Sequence, residues 1–94
     1  MIKLDNKTFA SFISNNETCM IMFGATWCAP CKVLKPKVAG LNLSNVAYAD
    51  IQLCKSEAMS AKIMSVPTLI VYRGGEEVVR AHRLTEEILS EVRG

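Results

Sequence analysis

The chain has 94 residues, half of them hydrophobic and 21% charged, which is the composition of one small globular domain and not of a disordered segment. Eleven basic residues against nine acidic leave a net charge of +2, and the lysines and arginines are scattered, which argues against a nucleic-acid or membrane surface. The longest apolar run, Cys19 to Phe23, falls far short of the roughly 20 residues of a membrane helix. Met1 to Asp5 holds no apolar stretch of signal-peptide length, so the sequence predicts a cytoplasmic domain spanning residues 1–94.

In chain order, Asp5 or Asn6 is placed to cap a short helix with Phe9, Phe12 and Ile13 on one face, broken at Asn15-Asn16. Cys19 to Phe23 reads as a strand covered on both faces, followed by a loop from Gly24 to Cys28. Pro30 suits the first turn of a helix over 29–41, with Val33, Leu34, Val38 and Leu41 inward and Pro36 as an internal kink. Asn45 to Ile51 is a second strand, and Lys55 to Ile63 a helix with Ala58, Met59, Lys62 and Ile63 at helical spacing.

Thr68 to Tyr72 is a third, β-branched strand, and Gly74-Gly75 turns it into a fourth over 77–81. Thr85, with Glu86 and Glu87, opens a last helix through Ile88, Leu89 and Val92 that stops at Gly94. Two strand-helix-strand passages imply parallel pairs, and the terminal hairpin adds an antiparallel edge. The expectation is a three-layer α/β domain with a mixed sheet of about four strands.

Chemistry concentrates at Trp27-Cys28-Ala29-Pro30-Cys31-Lys32. A C-x-x-C pair sets two sulfurs one helical turn apart, close enough for a disulfide. The first cysteine falls at the head of a helix, where free N–H groups and the positive end of the dipole favour a thiolate. Cys28 is the candidate nucleophile and Cys31 the candidate resolving thiol. Two other readings are weaker. A zinc site would need Cys19 and Cys54 to complete four thiolates, yet neither has a partner at ligand spacing. A purely structural disulfide across so short a loop would add little stability. A Pro-containing loop at a strand end is expected to be exposed, so two inert buried thiols fit poorly.

These residues, with Pro36 in the helix, Val66-Pro67-Thr68 before a strand and the Tyr72-Arg73-Gly74-Gly75 turn, strongly resemble the thioredoxin family over nearly the whole chain. The resemblance implies a thioredoxin-like fold and a thiol-disulfide oxidoreductase that reduces protein disulfides through Cys28 and Cys31. It implies a cis peptide bond before Pro67, whose loop keeps metals off the dithiol and pairs with a bound target strand. Trp27, Ala29, Pro30, Val66 and Pro67 would form the apolar contact surface for substrate. The sulfurs carry the electrons, so no cofactor and no metal are expected. Partners would be disulfide-bonded proteins and a separate reductase, NADPH-dependent thioredoxin reductase, with no nucleic acid, no membrane and a monomeric state.

The chain departs from the family in several places. Met22 stands where many thioredoxins have a buried Asp, Tyr48 where they have a facing Lys, and Gly24 where a Trp often follows. The chain is thus expected to lack the internal carboxylate that, by the resemblance, would assist proton transfer from the resolving Cys31. Ala29 replaces the commoner Gly, and no Gly occurs among Ala81, His82, Arg83 and Leu84. His82 reads as a solvated loop residue, Cys19 as a small core hydrophobe and Cys54 as a modestly reactive surface thiol. The rival functions are a glutathione-dependent, glutaredoxin-like enzyme, a periplasmic oxidant, and a binding subunit of a larger enzyme.

Overall fold

The computed structural model describes every residue from Met1 to Gly94. In chain order the elements are β1 (Ile2–Leu4), α1 (Phe9–Ser14), β2 (Thr18–Gly24), α2 (Ala29–Ala39), β3 (Val46–Asp50), α3 (Lys55–Ser60), β4 (Thr68–Arg73), β5 (Glu76–Ala81) and α4 (Glu86–Arg93). The five strands make one sheet in the order β1-β3-β2-β4-β5. β3 runs parallel to β1 and β2, whereas β4 is antiparallel to β2 and β5. Of the two expected parallel passages, only β2–α2–β3 therefore gives a parallel pair. After α3 the chain crosses to the other side of β2 and runs back against it.

The sheet therefore has five strands where the sequence predicted about four. The additional strand is β1, three residues of which only Leu4 is buried. So short a segment shows no alternation; it becomes a strand because β3 offers a parallel edge, pairing Ile2 with Ala47 and Leu4 with Ala49.

Alternation along β2 divides the core in two. Met20 and Met22 point to the side where Leu34 and Val38 of α2 meet Ile88 and Val92 of α4. Cys19, Ile21 and Phe23 point to the other side, against Phe9 and Phe12 of α1 and Ala58 of α3. Phe9 and Phe23 meet there at 5.9 Å between ring centroids. No helix is long and apolar enough to cross a membrane.

Helix ends follow local chemistry. Asp5 Oδ1 accepts the N–H groups of Lys7 and Thr8, forming a turn ahead of α1, and the helix itself begins at Phe9. Thr85 Oγ1 caps α4 by accepting the Ile88 N–H at 3.1 Å. α2 stops at Ala39, short of the expected Leu41, and runs through Pro36. Its buried stripe is Cys31, Leu34 and Val38; Val33, expected inward, is 62% exposed because it precedes Leu34 by about 100° of helical rotation.

α3 ends three residues early. The Lys62 N–H bonds the Met59 carbonyl, and the Ile63 N–H reaches back to Ala58. Lys62 takes the left-handed conformation at φ +56°, so this is a Schellman termination without its usual glycine. Met59 is left exposed. The β4–β5 hairpin turns at Gly74 and Gly75, φ +61° and +83°, where positive φ at both positions matches the twist of the strands.

Candidate active site

β2 delivers the chain to a short loop, and Cys28 takes the N-cap position of α2 with extended backbone, φ −93° and ψ 110°. Its sulfur does what a capping oxygen normally does, accepting the Cys31 N–H at 3.3 Å. The same sulfur lies 3.6 Å from the Val66 carbonyl, to which the thiol donates. The Val66–Pro67 bond is cis, as the resemblance implies. One turn on, Cys31 sits on the inner stripe of α2, so β2, α2 and the loop before β4 converge on two free thiols.

The expected contact residues gather around them. Trp27 is 65% exposed, Ala29 and Pro30 are exposed, Val66 is half-buried and Pro67 is buried. Cys28 differs from expectation: only 5% of it is exposed, because the Val66-Pro67 loop closes over the helix head. Cys54 also differs. It is fully buried on the opposite side of the sheet, with its thiol directed at the Leu4 carbonyl 3.8 Å away, and is no surface thiol. Cys19 shares that far side, so the fold does not bring four sulfurs together.

His82 is exposed yet tethered, which the sequence reading missed. Its Nδ1 lies 3.1 Å from the Pro67 carbonyl and 3.3 Å from Thr68 Oγ1. The Thr68 hydroxyl spends its hydrogen on the Ser65 carbonyl, which makes Nδ1 the donor in this cluster. His82 thus props the proline loop from behind. Residues fourteen and fifteen positions apart meet only through the β4–β5 pairing, and no local pattern signals it.

The three departures around Cys31 form one arrangement. Met22 pairs with Tyr48 across β2 and β3, both buried in the cluster that holds Cys31. A Cβ on Gly24 would stand 2.8 Å from Tyr48 Cε1, 3.0 Å from its Oη and 3.3 Å from Cys31 Sγ. The tyrosine ring has taken the space that a side chain at position 24 would need. Lys35 closes over that ring, with Nζ 4.0 Å from its centroid. Burial raises the Tyr48 phenol above its ordinary range, with Asp50 and the two thiols adding to the shift.

Asp50 is a buried carboxylate, but not the one missing at position 22. It is 4% exposed, but Oδ1 accepts the Gln52 N–H at 2.8 Å and so serves the turn after β3. Gly24→Trp should lower stability by about 1–3 kcal/mol through overpacking. Combining it with Tyr48→Lys should recover at least about 1 kcal/mol in a double-mutant cycle followed by urea unfolding. Strictly additive losses would show that the ring is not the obstacle.

Burial pushes the Cys31 thiol up to about 11, reinforced by its hydrogen bond with Cys28 and partly offset by the Ala25 backbone. Burial alone does the same for Cys19, from 9.0 to about 11; Cys54 is raised by burial, with Glu57, Asp5 and Asp50 adding to it. These raised groups favour the fold below the unfolded thiol range, and that advantage is lost as pH rises toward 11. Between pH 8 and 10.5, urea unfolding should show a loss of about 2 kcal/mol from Cys19 alone. Cys19→Val should remove that share of the loss and leave disulfide turnover within about tenfold, or 1.4 kcal/mol of barrier. An unchanged alkaline loss would dismiss Cys19 as its source.

A dithiol at a helix head beside a cis-proline loop, on a mixed five-stranded sheet with helices on both faces, is the architecture of a thiol-disulfide oxidoreductase. The Thioredoxin family profile matches residues 1–93, and the chain belongs to the thioredoxin family. Thioredoxin-2 of Saccharomyces cerevisiae is 35% identical over 75 residues, 76% of this chain and 72% of that protein. A bifunctional thioredoxin reductase/thioredoxin of Mycobacterium leprae is 33% identical over 81 residues, 81% of this chain and 18% of that protein. The solved structure of a mutant thioredoxin from Halobacterium salinarum NRC-1 superposes with a TM-score of 0.82 at 28% identity, covering 97% of this chain and 89% of that one. These relations favour neither a glutathione-dependent enzyme nor a non-catalytic subunit.

Proposed function

We propose that this oxidoreductase reduces protein disulfides by cycling Cys28 and Cys31 between dithiol and disulfide. The Cys28 thiolate attacks one sulfur of the target disulfide; that S–S bond breaks, and the other target sulfur leaves as a thiolate and takes up a proton. Cys31 then gives up its proton and attacks Cys28 Sγ, and the second target sulfur leaves. Two electrons pass to the target, and Cys28–Cys31 is left as a disulfide. The observation that carries this reading is the contact of Cys28 Sγ with the Cys31 N–H at 3.3 Å, since a donor at the positive end of α2 stabilises the attacking anion.

Trp27, Ala29, Pro30, Val66 and Pro67 bind the target segment, with the loop backbone at 66 adding it as an extra strand. Two electrons from a separate NADPH-dependent thioredoxin reductase restore the dithiol. The name of the Mycobacterium leprae relative, which joins reductase and thioredoxin in one protein, supports that partner. The two sulfurs need no further cofactor or metal, and the protein works as a monomer in the cytoplasm, in electron transport and cell redox homeostasis. The test is reduction of insulin disulfides with dithiothreitol, then with thioredoxin reductase and NADPH. A rate no higher than that of dithiothreitol alone would sink the proposal.

A further inference from the structure

Three lysines of α2 and, brought in from the loop before α4, Arg83 surround the dithiol. No acidic residue occurs between Glu17 and Asp50, a stretch that contains all of α2 with its Lys32, Lys35 and Lys37. Neither ion pair of the protein, Arg73–Glu91 or Arg80–Glu77, involves these lysines or Arg83.

Two clefts flank the site. A groove of about 560 Å³ is lined by Pro30, Leu34 and Pro67 together with Lys37, His82 and Arg83. On the other side of α2, a cleft of about 240 Å³ runs from Thr26 past Cys31 and Tyr48 to Lys32 and Lys35. No carboxylate lines either one. Glu86 and Glu87, the acidic residues that follow Arg83, stand at the head of α4 and outside both. The cleft between α1 and α3, on the far face, is instead lined by Glu57 and Glu77. The two clefts beside the sulfurs thus carry basic side chains with no carboxylate among them, unlike the far-face cleft.

We propose that the protein selects target disulfides whose attacked cysteine is flanked by acidic residues, an extended acidic segment lying across the Val66-Pro67 loop between these two basic walls. This rests on the reading of Cys28 and Cys31 as the redox pair. An extended segment bound there spans both clefts, so acidic side chains before and after its cysteine face Lys37 and Arg83 at one end and Lys32 and Lys35 at the other. Such a field raises the encounter rate of complementary chains and opposes basic ones, and salt screens it.

The test uses three cyclic disulfide peptides identical except for flanking Glu, Gln or Lys. Second-order rates with the reduced protein are followed by Trp27 fluorescence in a stopped-flow instrument. Each rate is divided by that of dithiothreitol on the same peptide, which removes the intrinsic reactivity of the disulfide. In 20 mM salt the Glu peptide should react about tenfold or more faster than the Lys peptide. In 500 mM salt, where screening acts within a few ångström, the two should converge to within about twofold.

A Lys37→Glu, Arg83→Glu variant should abolish or invert the preference; both positions are exposed, and a thermal melt checks its fold. The salt series on the natural protein decides the matter even if the variant fails to fold. Equal rates for all three peptides in low salt would overturn the inference while leaving the redox reading intact. A protein that reduces none of them would overturn the redox reading and this inference with it.

Discussion

Cys28→Ser should lower disulfide reduction by roughly a thousandfold, about 4 kcal/mol of barrier, because a hydroxyl cannot replace the attacking thiolate. Cys31→Ser should behave differently. Its Cys28 still attacks, but nothing resolves the product, so a mixed disulfide with the target accumulates and is visible by mass spectrometry under non-reducing conditions. The asymmetry follows from geometry: Cys28 Sγ lies at the helix head on the Val66 carbonyl, whereas Cys31 faces the inner stripe of α2. Iodoacetamide near neutral pH should modify Cys28 before the other three thiols. Cys19 and Cys54 are fully buried on the far side of the sheet, and burial holds Cys31 largely protonated. Equal alkylation of Cys28 and Cys54, or a Cys28→Ser protein that keeps full turnover, would remove Cys28 from the nucleophile's place.

The active-site motif and most of the sheet were legible because they are written locally. The C-x-x-C spacing, Pro30 in the first turn of α2, the apolar alternation of β2 and the paired glycines of the hairpin each constrain a few neighbouring residues. What could not be read depends on partners distant in sequence. β1 exists through the edge of β3, and α3 stops where Lys62 adopts a conformation usually left to glycine. The burial of Cys28 and Cys54 is set by segments 38 and 50 positions away, through the Val66 and Leu4 carbonyls. Met22, Gly24 and Tyr48 were each visible as departures, but their meeting around Cys31 belongs to the pairing of β2 with β3.

The second large effect concerns how Cys31 loses its proton. Burial pushes its thiol up to about 11, so at pH 7 only about one part in ten thousand is thiolate in the reduced protein. Once Cys28 is bound to a target, its hydrogen bond and charge no longer act on Cys31, but burial still does. Met22 offers no base, and the Asp50 carboxylate is engaged by the Gln52 N–H. Water reaching the cleft beside Tyr48 and Lys35, or the departing thiolate, must take the proton. The resolution rate should therefore climb about tenfold per pH unit from 6 to 9, in proportion to the Cys31 thiolate.

Met22→Asp should flatten that climb by supplying a carboxylate within the same buried cluster. The substitution has a cost on the order of 3 kcal/mol, since Met22 is fully buried and Tyr48 brings no positive charge. The sign of its pH dependence is fixed. Burial raises the introduced carboxylate above its unfolded value, so the variant is most stable in acid and loses stability as pH rises through the raised value. Melting points at pH 4.5 and 7.5 therefore report whether the new group is buried, independently of turnover. Stopped-flow Trp27 fluorescence on both proteins measures resolution. A pH-independent rate in the natural protein, together with a folded Met22→Asp protein whose profile is unchanged, would show that proton removal from Cys31 does not limit resolution.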